Sequence, residues 1–60
     1  MFTIINKNKQ YITRRSLTDD FSFTDNYNFA YVYDNINQVE AIRNILEKYQ
    51  GYNDLEIITI

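Results

Sequence analysis

Between Ile36 and Tyr49 the apolar side chains fall at Ile36, Val39, Ile42, Ile45, Leu46 and Tyr49. Spacings of three and four draw one stripe along an α-helix. Gln38, Glu40, Arg43, Glu47, Lys48 and Gln50 take the opposite side, with Glu40 and Glu47 placed for weak ion pairs to Arg43. Asp34 and Asn35 open this segment, and Gly51 stands where a left-handed residue ends a helix. It is the only long stripe of its kind in 60 residues. A single amphipathic helix covers a single sheet face, so the rest of the chain is expected to build one sheet beneath it.

The strand signals are shorter. Phe2-Thr3-Ile4-Ile5 is rich in β-formers, Asn6-Lys7-Asn8-Lys9 is a polar turn, and Gln10–Thr13 resumes with Tyr11 and Ile12. The first thirteen residues therefore read as a hairpin, which Arg14 and Arg15 extend along a wet edge. Phe21-Ser22-Phe23 alternates with period two, Thr24-Asp25-Asn26 offers N-cap residues, and Tyr27–Ala30 fits one helical turn. Tyr31-Val32-Tyr33 reads as a short strand, and the tail Leu55–Ile60 as another. The expected fold is α+β: a small two-layer domain, ββ-short helix-β-α-β. Its four-stranded sheet is antiparallel or mixed, with one amphipathic helix on one face, in a single domain over residues 1–60.

A chain this short buries only about 60% of the surface its unfolded form exposes. With no cysteine and no histidine, neither a disulfide framework nor a zinc finger can reinforce it. The expected core is Phe2, Ile4, Ile12, Phe23, Phe29, Val32, Val39, Ile42, Leu46, Tyr49, Leu55 and Ile57. If Val32 points to the helix, alternation sends Tyr31 and Tyr33 the other way, together with Ile58 and Ile60. Tyr31, Tyr33, Ile58 and Ile60 thus form the expected interface, either of a two-fold homodimer or with a larger protein or nucleoprotein partner.

Catalysis lacks its usual parts. There is no His or Cys base or nucleophile, no Gly-rich phosphate loop, and the adjacent Asp19-Asp20 belong to a solvated turn. Asp19, Asp20 and Asp25 lack the glycine and spaced glutamate of a calcium loop. No enzyme activity, metal or cofactor is expected. Residues 1–18 carry Lys7, Lys9, Arg14 and Arg15 without an acid, whereas residues 19–60 set Arg43 and Lys48 against all eight acids. The hairpin cations beside Tyr11 make nucleic-acid or acidic-partner contact the alternative function, against an overall charge of −2. No apolar run is long enough for a membrane span or a signal peptide, so a cytoplasmic protein is expected.

From Asp19 onward the sequence resembles small proteins encoded by phages and prophages of AT-rich, Gram-positive bacteria. The carrying residues are Phe23-Thr24-Asp25-Asn26, Ala30, Val32-Tyr33-Asp34, Glu40-Ala41 and Leu55-Glu56-Ile57. The resemblance implies a non-enzymatic accessory protein that acts by protein–protein binding. Inhibitors of host defence such as anti-CRISPR proteins share this small size, acidity and phage source, and by that analogy the resemblance extends to inhibition of a host defence or regulatory complex in the host cytoplasm.

Overall fold

A computed structural model describes residues 1–14 and 21–60, apart from the side chain of Arg14. Four strands, β1 (Phe2–Ile5), β2 (Tyr11–Arg14), β3 (Phe21–Thr24) and β4 (Glu56–Thr59), form one sheet in the order β3-β2-β1-β4. Every neighbouring pair is antiparallel. Helix α1 (Ile36–Tyr49) packs on one face, and a 3₁₀ turn spans Tyr27–Phe29. The expected two-layer α+β domain is present.

One strand is not where the sequence places it. Phe21–Thr24 is the fourth strand, paired residue for residue with β2 from Arg14↔Phe21 to Tyr11↔Thr24. Its alternation turns both Phe21 and Phe23 to the core. Tyr31–Tyr33 is instead a strap with a single bridge, Phe2↔Tyr33.

The β1–β2 turn is built on Asn6. Its side-chain oxygen accepts from the N–H groups of Asn8 (3.0 Å) and Gln10 (2.9 Å). Its amide donates to the Gln10 side chain at 3.0 Å. Lys9 takes the left-handed backbone, φ 62°, that such a tight reversal requires. Asn35 caps α1 by accepting from the Asn37 N–H at 2.8 Å. At the far end Gly51 has φ 75°, and the N–H groups of Gln50 and Tyr52 both donate to the Leu46 carbonyl.

The core between helix and sheet is Ile4, Ile12, Tyr33, Val39, Leu46 and Leu55, ringed by Phe2, Phe21, Phe23, Ile42, Tyr52 and Ile57. Three residues expected inside lie outside: Phe29, Val32 and Tyr49, the last 73% exposed. Tyr49 is rotated about 60° around the helix from Leu46. The reversal at Gly51 brings Tyr52 in, its ring edge-on to Phe23 at 5.2 Å. Phe29 ends the 3₁₀ turn, which has no buried residue.

Candidate interaction face

Register decides which side chains the helix leaves uncovered. Strands β1 and β4 pair as Phe2↔Thr59, Thr3↔Ile58, Ile4↔Ile57 and Ile5↔Glu56. Directly paired residues share a face. Ile4 and Ile57 meet the helix, so Thr3, Ile5, Glu56 and Ile58 turn to the second face. The Ile60 N–H donates to the Met1 carbonyl at 2.8 Å, which carries the pairing one step further and adds Met1 and Ile60 to that face. Across the other half of the sheet lie Tyr11, Thr13, Ser22 and Thr24.

The middle of this face is closed. Thr3 is fully buried, and its hydroxyl donates to the Tyr31 carbonyl at 2.8 Å. That bond satisfies the hydroxyl that lies between Ile5 and Met1 on this face. Ile5 is buried beside it, Ile58 is half-buried, and Met1 and Ile60 are exposed.

Of the residues expected at an interface, Ile58 and Ile60 come together, and Tyr33 leaves. Tyr33 exchanges both backbone hydrogen bonds with Phe2, at 2.8 Å each, and so takes Phe2's face towards the helix. It is 4% exposed, whereas Val32 is 40% exposed, the reverse of the orientation read from the sequence. Tyr31 follows Tyr33, with ring centroids 5.0 Å apart, and keeps part of its ring in solvent. Val32 and Met1 take the places of the two tyrosines on the side of the sheet that carries Ile58 and Ile60, with β1 between Val32 and β4. No local signal marks them, because the parity of the strap follows from its bridge to Phe2.

The basic group is also divided. Lys7 and Lys9 are exposed on the β1–β2 turn, and Tyr11 sets its ring edge-on to Tyr27 at 5.3 Å. The backbone of Arg14 ends β2 at the opposite end of the sheet, and Arg15 lies outside the described residues, as do Asp19 and Asp20. The end that carries the two lysines also carries Asp25, just after β3, and Asp54 and Glu56 around the start of β4. Its positive field is therefore offset locally.

On the helix, Lys48 sits 5.3 Å from the centre of the Tyr49 ring. Arg43 is half-buried, and its Nε is shielded without a hydrogen-bond partner among the described residues. Among those residues no cluster of three or more Asp or Glu side chains is placed to hold a metal, and no helix is long and apolar enough to cross a membrane. No protein-family model matches the chain, and neither does any curated protein or solved structure at a significant level.

Proposed function

We propose that this chain is a non-enzymatic binding protein whose second sheet face is closed by another protein surface, in the first place by a second copy of itself. The observation that carries the reading is the apolar strip of Met1, Val32, Ile58 and Ile60 around the closed centre at Thr3 and Ile5. A two-fold dimer would lay this strip against its own copy and add buried area to a thin core. The fuller reading is a phage or prophage accessory protein that occupies a host defence or regulatory complex in the cytoplasm. It draws on the resemblance carried by Phe23–Asn26, Val32–Asp34 and Leu55–Ile57.

Affinity purification from expressing cells, run in parallel with an Ile58→Lys variant, tests the reading. A partner, or an untagged second copy, should be retained by the unmodified chain and lost with the variant while the helical circular dichroism persists. Equal recovery by both would refute the assignment of this face. Nucleic-acid contact at the hairpin end is a second reading, favoured by the Tyr11–Tyr27 ring pair beside Lys7 and Lys9. It requires binding that weakens steeply with salt, and a flat fluorescence-anisotropy titration at low salt removes it.

A further inference from the structure

We infer that the Tyr31–Tyr33 strap is a releasable latch held between β1 and β2, and that the two strands close on each other when it leaves. Strands β1 and β2 are in register at Ile5↔Tyr11, beside the turn. Continued outward, that register sets Thr3 opposite Thr13 and Phe2 opposite Arg14, with matching faces throughout. The strap takes up those bonds instead. Tyr31 donates to the Ile12 carbonyl, and Tyr33 and Phe2 donate to each other's carbonyls, all at 2.8 Å.

Closing the hairpin would return these bonds nearly one for one. Phe2 would exchange both of its bonds with Arg14, and the Ile12 carbonyl would accept from Ile4. Two features have no replacement in the closed hairpin: the Thr3 hydroxyl bond to Tyr31 and the burial of the Tyr33 ring. Both favour the latched arrangement. On either side the strap is tied through few groups: Asp34 is exposed, Asn35 caps α1, and the 3₁₀ turn meets the sheet through the Tyr27–Tyr11 ring pair. Release would free Tyr31, Val32 and Tyr33 together, beside the second face of the sheet. Val32 belongs both to the strap and to the strip proposed above as an interface, so a partner that covers that strip opposes release.

Two measurements on the full chain test it. In the first, Thr3→Cys/Thr13→Cys is oxidised without denaturant, beside a Thr3→Cys/Ile58→Cys control whose positions are already paired. A disulfide needs Cα atoms within about 7 Å, and the strap lies between Thr3 and Thr13. Formation of the Thr3–Thr13 disulfide is therefore expected only if the strap leaves, here with the Thr3 hydroxyl bond to Tyr31 already removed by the substitution. In the second, native-state hydrogen exchange is followed through low urea concentrations. The Tyr31 and Tyr33 amides should exchange by an opening with a much smaller urea dependence than global unfolding, at least tenfold faster than the Leu46 amide, which should follow global unfolding. The inference is overturned if the control closes while the Thr3/Thr13 pair stays reduced. It is equally overturned if the three amides share one urea dependence.

Discussion

Replacing Tyr33 with alanine should cost far more stability than the same change at Val32, although the two are neighbours and the sequence pattern ranks them the other way. Tyr33 is 4% exposed and packs in the cluster with Val39 and Leu46, whereas Val32 is 40% exposed on the other side of the strap. A buried aromatic ring covers about 150–250 Å². At about 25 cal/mol per Å² this sets a transfer term of roughly 4–6 kcal/mol as an upper bound. Aromatic-to-alanine changes in cores cost about 3–5 kcal/mol. Val32→Ala removes two partly exposed methyl-sized groups, at about 0.8 kcal/mol for each when fully buried, so about 1 kcal/mol or less is expected. A domain of this size has roughly 3–9 kcal/mol in all. Tyr33→Ala should therefore be mostly unfolded or close to it, and Val32→Ala should fold. Urea titration followed by far-ultraviolet circular dichroism measures both, with a common slope confirming that one transition is compared. A Val32→Ala cost equal to or above that of Tyr33→Ala would refute the face assignment of the strap.

On the helix, Leu46→Ala should cost about 2–5 kcal/mol, because Leu46 is fully buried, and Tyr49→Ala less than about 0.5 kcal/mol; paired urea titrations separate them. Asn35→Ala removes the acceptor of the Asn37 N–H and should cost about 1 kcal/mol by the same measurement, with fraying of the first turn visible in its amide shifts. At Gly51 an added Cβ meets nothing within 4 Å, so the cost of Gly51→Ala comes from φ 75° alone. About 1 kcal/mol is expected, and Gly51→Asn should recover part of it.

Much of the layer arrangement is legible without coordinates. The stripe at Val39, Ile42 and Leu46, the Gly51 stop, and the Phe2–Ile5 and Tyr11–Thr13 strands all follow from local periodicity, which helices and half-buried strands must obey. The alternation at Ile57 and Ile58 also reads directly, so two members of the candidate face, Ile58 and Ile60, are found from sequence. What is not legible is long-range pairing. Phe21–Thr24 is only one residue longer than Tyr31–Tyr33 and no richer in β-formers. It becomes a strand because β2 offers it a free edge, while the strap meets only a gap. The side to which Tyr33 turns depends on its bridge to Phe2, 31 positions earlier in the chain, and no local pattern carries that parity. Val32 and Met1 reach the candidate face by the same non-local route. Tyr49 fits the helical stripe and still lies outside, because Tyr52 arrives after the reversal at Gly51.

The account rests most heavily on the second face of the sheet being covered in solution, and sedimentation equilibrium over a wide concentration range tests this most directly. The account predicts a dimer at high micromolar concentration that dissociates on dilution. It also predicts that Ile58→Lys sediments as a monomer while keeping the helical spectrum of the unmodified chain. A monomeric mass for the unmodified protein across the whole range, with an Ile58→Lys variant of equal mass and equal stability, would contradict it.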